Sequence, residues 1–105
     1  MIRAVRTGRC RLSAVGHAGY AKAGQDIVCA AVSALVETLE AYLLLLQIEG
    51  AGEVQIKGDS VAFLPADEND GRGASAFDYA ETGLRLIARQ YPDHVSFSSS
   101  WCGEG

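Results

Sequence analysis

Residues 26 to 50, DIVCAAVSALVETLEAYLLLLQIEG, read as one long helix, and the rest of the fold follows from how that helix must be covered. Asp26 stands just before the apolar run, where its carboxylate can accept hydrogen bonds from the free N–H groups of Val28 or Cys29. Gly50 stands where a helix that runs to about Glu49 would end. With each residue advancing about 100°, Asp26, Cys29, Ser33, Glu37, Glu40 and Gln47 share an arc of roughly 80°, and nearly all the remaining circumference is apolar. That surface is wider than one sheet face needs. It calls for a second helix or another subunit, and we expect a homodimer. The segment is also long enough for a membrane span, but Glu37 and Glu40 lie in its middle, where each acid would cost on the order of 3 kcal/mol. A buried helix is expected instead, with no membrane partner.

Working outward, Met1 to Arg6 and Arg9 to Val15 flank Thr7-Gly8 and suggest an opening β-hairpin. Gly16 to Gly24 has three glycines and no apolar period, which reads as a flexible loop leading into the helix. Glu53 to Lys57 and Ser60 to Leu64 alternate around Gly58-Asp59, a glycine-first pair suited to a type II′ hairpin. Pro65 to Gly73 is a polar, acidic loop without the loop-end carboxylate and placed glycine of a calcium-binding hand. Phe77, Ala80, Leu84, Ile87 and Tyr91 then recur at helical spacing opposite Asp78, Glu81, Arg85 and Arg89, until Pro92. His94 to Ser99 alternates as a last strand, and Ser100 to Gly105 reads as a frayed tail. The order ββαββαβ predicts an α/β protein of the α+β type: a two-layer sandwich with two helices on a mainly antiparallel five-stranded sheet.

A chain of 105 residues and 11.1 kDa has room for a single domain, residues 1–105, and its 49% hydrophobic and 21% charged residues suit a globular protein. The net charge of −4 argues against a general nucleic-acid binder. The charge is uneven, because residues 1 to 24 carry five basic side chains (Arg3, Arg6, Arg9, Arg11, Lys22) and no acid. Solvated strand faces account for them more simply than a docking patch. Cys10, Cys29 and Cys102 have no metal-ligand spacing and form no even-numbered disulfide framework, and the N-terminus lacks the order of a secretory signal. A cytoplasmic protein without metal or cofactor is expected.

One constellation stands above a generic domain: Gly16-His17-Ala18-Gly19, a short loop, then Asp26-Ile27-Val28-Cys29. Cys29 falls on the polar arc, in the first helical turn, where unpaired N–H groups and the helix dipole favour a thiolate. His17 precedes it by twelve residues, enough loop to fold the imidazole over the sulfur as base and then acid. Asp26 has two roles open to it, capping the helix or orienting His17. Ser33, one turn after Cys29, can hydrogen-bond the site or its own helix. Cys10, Cys102 and His94 have no evident partners. Taken singly, Cys29 could equally be an inert small hydrophobe and His17 a solvent-facing loop residue, so the residues by themselves reach a candidate Cys/His thiol site without a substrate.

Residues 16 to 35, GHAGYAKAGQDIVCAAVSAL, closely resemble the ribosomal-processing cysteine protease (Prp) family of bacteria. The family's Gly-His-Ala loop is matched at Gly16, His17 and Ala18, and its Asp-Ile-Val-Cys-Ala-Ala-Val-Ser segment at Asp26 through Ser33. Chain length, the opening hairpin and the Tyr91-Pro92 step agree in pattern, although that hairpin is shorter than usual for the family. The resemblance implies a cytoplasmic, dimeric protease that removes a short N-terminal extension from one large-subunit ribosomal protein. It implies Cys29 as nucleophile and His17 as general base and acid. Substrates of the family are apolar and aromatic before the cut and basic after it, which suggests that the acidic balance of residues 25 to 105 helps hold the basic body, with Asp67, Glu68 and Asp70 as the loop on which to test it. The helix N-terminus would supply oxyanion donors, with the Cys29 N–H first. Two other readings compete: a non-catalytic dimeric module that binds a ribosomal protein or assembly factor, and a redox thiol. An activated Cys29 would react with iodoacetamide well below the ordinary thiol range.

Overall fold

The computed structural model describes residues 1–22 and 24–101. Its elements are β1 (Ile2–Gly8), β2 (Arg11–Val15), α1 (Ile27–Ile48), β3 (Gly52–Lys57), β4 (Ser60–Pro65), α2 (Arg72–Gln90) and β5 (Val95–Ser99), in the expected ββαββαβ order. The strands form one sheet ordered β3-β4-β2-β1-β5. Three pairings are antiparallel, while β1 and β5 run parallel, so the sheet is mixed at one edge. Strand β4 already points along β1, and α2 returns the chain to the starting end, so β5 must enter in the direction of β1.

The pleat puts Ile2, Ala4, Leu12, Val61, Phe63 and Val95 on one sheet face, each at most 4% exposed, and the helices cover that face. Helix α1 contributes Val28, Val32, Leu39, Leu43 and Leu46, and α2 contributes Phe77, Ala80 and Leu84. The helices approach closely at Gly83, where a Cβ would lie 2.8 Å from the methyl carbons of Leu35. Arg3, Arg11, Ser96 and Ser98 lie exposed on the other side of the sheet. The expectation of a buried helix holds for one stripe of α1 only. Leu45 is 60% and Ile48 81% exposed.

The first turn falls two residues later than the sequence suggests. Strand β1 continues through Thr7-Gly8, the chain reverses at Arg9-Cys10, and the register shifts between Arg6 and Gly8. Arg6 explains the shift. Expected on a solvated face, it is 1% exposed, and its guanidinium donates to the carbonyls of Gly8 (3.2 Å) and Arg9 (2.6 Å). It also pairs with Asp78 at 2.6 Å and Glu81 at 3.1 Å on α2, under the ring of Trp101 at 4.2 Å. Two carboxylates neutralise the buried charge, and the carbonyls it gathers shape the turn. Burial pushes Glu81 upward, but hydrogen bonds from Arg85 and Arg6 hold its carboxyl below the usual range.

The second hairpin turns at Gly58-Asp59, where only Gly58 has positive φ (55°), as a type II′ turn requires. Helix α2 begins at Arg72, inside the stretch expected to be loop through Gly73, and ends before Pro92. The tail is not frayed at its start, because the Ser100 N–H donates to the Arg6 carbonyl at 3.0 Å. Cys102 to Gly105 lie outside the described residues.

Candidate active site

Asp26 closes the N-terminus of α1. Its Oδ1 accepts hydrogen bonds from the N–H groups of Val28 (3.0 Å) and Cys29 (2.9 Å). Its Oδ2 accepts from Tyr20 (3.1 Å) and Ala21 (3.4 Å), so the same carboxylate gathers in the preceding loop. These donors, the Cys29 N–H foremost, hold the Asp26 carboxyl below its ordinary range against a partial desolvation that works upward. Of the two roles open to Asp26, capping is the one the geometry displays, since all four of these bonds go to backbone N–H groups. The Cys29 N–H, the first expected oxyanion donor, is thereby committed to Asp26.

The loop expected to be flexible is pinned at Ala18. Gly16 leaves β2 with φ of 104°, and a Cβ there would run into the Met1 carbonyl, so this position admits only glycine. The Ala18 methyl is buried in the core at 2% exposure. Its N–H donates to Cys29 Sγ at 3.2 Å, and its carbonyl meets His94 Nδ1 at 2.9 Å. The expectation that His94 has no partner is therefore corrected. A carbonyl offers only lone pairs, so Nδ1 carries the proton and donates. The imidazole of His94 also lies edge-on to Tyr20, ring centroids 5.3 Å apart, and Tyr20 lies edge-on to Tyr91 at 5.5 Å.

His17 is exposed and Cys29 half-buried, and both line two clefts that meet at them, together with Ser33. One cleft, about 330 Å³, continues past Val32 and Val36 to Glu37, Glu40 and Asp59. The other, about 520 Å³, runs past Gly19, Ala21, Gly24, Asp26 and Ala30. Burial, and then the neighbouring Glu37, pushes the Glu40 carboxyl above its ordinary range. An extended chain crossing the sulfur therefore has a groove on each side. A larger groove of about 1050 Å³ lies between the helices and holds neither Cys29 nor His17. Cys10 lies apart from the site at the first turn, and burial pushes its thiol up, against the pull of Arg9 and Arg6. Among the described residues no group of three or more His, Cys, Asp or Glu side chains is placed to hold a metal ion.

The acidic loop is at the other end of α1. Arg72 there binds Glu49 at 2.5 Å and Asp70 at 2.9 Å, while Cys29 sits at the start of the same helix, roughly 30 Å away by helical rise. Asp67, Glu68 and Asp70 therefore do not border the thiol, whereas Glu37, Glu40 and Asp59 line one of the clefts that it opens to. Sequence reasoning missed these three and His94. Glu37 and Glu40 were visible on the arc shared with Cys29, but His94 is 76 residues from Ala18 and carries no periodic signal.

A cysteine in the first turn of the core helix, hydrogen-bonded by a histidine-bearing loop and lining two clefts, is a candidate thiol site on a two-layer α+β scaffold. The family model described as cysteine protease Prp matches residues 2–96. The ribosomal processing cysteine protease Prp of Mycoplasma genitalium is 32% identical over 84 residues, covering 80% of this chain and 82% of that protein. The chain belongs to the cysteine protease Prp family and is a cysteine protease of the ribosomal-processing kind. Solved structures agree in fold. An essential ribosomal processing protease Prp from Staphylococcus aureus, bound covalently to a product peptide, superposes with TM-score 0.76 at 19% identity, covering 95% of this chain and 100% of that one. A Streptococcus mutans protein gives TM-score 0.68 at 23% identity, covering 96% and 95%.

Proposed function

We propose that this protein removes a short N-terminal extension from a large-subunit ribosomal protein, with Cys29 as nucleophile and His17 as general base and acid. The observation that supports this reading is the meeting of the two clefts, both lined by Cys29 and His17, which leaves room for a polypeptide on either side of the sulfur. Cys29 Sγ, as thiolate, attacks the scissile carbonyl carbon and pushes its electron pair onto oxygen. As the tetrahedral oxyanion collapses, the C–N bond breaks and His17 gives its proton to the leaving amine. The thioester then yields to water that His17 deprotonates, and the carboxylic acid departs as the thiolate is restored. The covalently linked product peptide of the S. aureus relative supports a covalent path, and the S. aureus protein has also been solved with a substrate peptide. With the Cys29 N–H engaged by Asp26, the Ala18 N–H is the peptide donor closest in role to an oxyanion contact. Gly16 and Ser33 act in support, one by admitting the loop's turn and the other by lining both clefts.

The reading extends to a homodimer in the cytoplasm. Support for the dimer comes from the apolar side chains left uncovered along the helix groove, among them Tyr79 (79% exposed), Leu86 (52%) and Tyr42 (39%). The free thiols of Cys10 and Cys29 suit a reducing compartment. Mass spectrometry tests the central claim, using the large-subunit ribosomal protein with its full N-terminus and wild type, Cys29→Ala and His17→Ala in parallel. Cleavage at one site by wild type alone is expected. No cleavage by any form, with Cys29→Ala binding that protein as tightly as wild type, would replace the reading with a binding module.

A further inference from the structure

We propose that His94 is a positioning residue for the thiol: by holding the Ala18 carbonyl it keeps the Ala18 N–H directed at Cys29 Sγ and the adjoining His17 over the clefts. The inference rests on Cys29 being the reactive group of the proposed function, but its test does not need the ribosomal substrate.

His94 is itself rigidly held. Its N–H donates to the Tyr91 carbonyl at 3.0 Å, its carbonyl accepts from the Ile2 N–H at 2.9 Å, and Tyr20 packs edge-on to its ring. The residue thus stands at the junction of the α2 C-terminus, the first residue of β1 and the entry to β5. From that junction Nδ1 reaches the Ala18 carbonyl at 2.9 Å. On the other side of the same residue, the Ala18 N–H is 3.2 Å from the sulfur. Ala18 is fixed at three points: its methyl in the core, its carbonyl by His94 and its N–H on Cys29. Losing the carbonyl anchor frees the peptide on the C-terminal side of Ala18 to rotate, in a loop whose next residue, Gly19, already has φ of 67°. A donor that wanders from the sulfur stabilises the thiolate less, because a charge-assisted hydrogen bond depends steeply on distance and angle. His17, one residue earlier, loses its fixed base at the same time. The other titratable groups that line the two clefts with Cys29 are His17, Asp26, Glu37, Glu40 and Asp59, which all the variants below retain.

Alkylation of Cys29 by iodoacetamide, followed against pH on the Cys29 peptide by mass spectrometry, reads the effect without substrate. His94→Leu removes the donor, and we expect the rate at pH 7 to fall about tenfold, with the reactive thiolate appearing about one pH unit higher. His94→Asn puts an amide N–H where Nδ1 stood and is expected to recover the rate to within about threefold of wild type. His94→Gln keeps an amide but carries it one carbon further, and is expected to behave like leucine. The Asn-against-Gln contrast decides the matter even if the leucine variant does not fold. Equal profiles for Asn and Gln, or a folded His94→Leu with the wild-type profile, would overturn the proposal. In cleavage of the ribosomal protein the same loss should fall on kcat with KM nearly unchanged. If no form cleaves that protein while the alkylation series holds, the positioning role stands and the substrate assignment falls.

Discussion

Two loops of this protein feed the N-termini of its two helices, and they differ in what their polar groups are doing. The segment before α2 is rich in charge, yet Asp70 and Glu49 close on Arg72, Asp67 accepts from the Asn69 N–H, and Gly71 caps the helix without a side-chain bond. The segment before α1 has little charge. One carboxylate, Asp26, satisfies four backbone donors, and a buried alanine presents a peptide N–H to a cysteine sulfur. Charge density is thus a poor guide to where chemistry sits. What matters is whether a polar group is spent on its own neighbours or held, by groups elsewhere in the fold, against something reactive.

The largest expected contrast is catalytic. Cys29→Ala or His17→Ala should lower kcat/KM for the ribosomal protein by at least about 1,000-fold, whereas Asp67→Asn with Asp70→Asn should leave it within about twofold. Next comes the cap. Asp26→Ala releases both the helix end and the loop, and kcat/KM should fall about 10- to 100-fold, with Tm lower by roughly 5 °C. Because the Asp26 carboxyl is held below its ordinary range, that stabilisation is complete above the unfolded-chain value and is lost as pH falls through the depressed one. The Tm difference between wild type and Asp26→Ala should therefore be flat from pH 8 to pH 5 and shrink below about pH 4.

A third experiment compares the acids of the two regions. Neutralising Glu37 and Glu40 together should raise KM about three- to tenfold at low salt, with the difference fading as salt rises, because the substrate is expected to be basic after the cut. Neutralising Asp67, Glu68 and Asp70 should leave KM unchanged across the same salt series. An equal response from both sets would show that the protein's overall charge, not the cleft, attracts the substrate. The smallest effect is on stability. Glu40 is raised by burial and by Glu37, so its penalty on the fold grows as pH rises from the unfolded-chain value and is complete above the folded one. Glu40→Gln should raise Tm by about 1–2 °C at pH 7 and have no effect below pH 4, as calorimetry can check.

Much of the architecture was legible because it rests on local rules. Periodicity revealed both helices, Asp26 before an apolar run marked a start, Gly58-Asp59 marked a hairpin, and a cysteine in a first turn beside a Gly-His-Ala loop marked the candidate site. The errors have a common source. Arg6 lies on a strand between the exposed Arg3 and the turn residue Arg9, both chemically alike, and nothing local says that Asp78 and Glu81 will neutralise it inside the fold. The first turn slipped by two residues because that buried guanidinium collects the carbonyls of Gly8 and Arg9. The loop looked flexible because three glycines interrupt it, but core packing of one methyl pins it.

The sequence by itself determined the helices, most of the strands, the pairing of a histidine loop with a capped cysteine helix, and the family that pairing belongs to. These depend on residues within about one or two turns of each other, where backbone hydrogen bonding and side-chain spacing dominate. Only the tertiary structure decided that β5 lies parallel to β1, that Arg6 is buried, that the acidic loop is remote from the thiol, and that His94 reaches Ala18 across 76 positions of chain. Those contacts join distant segments whose meeting is set by how the helices cover the sheet, and a linear pattern holds no record of it.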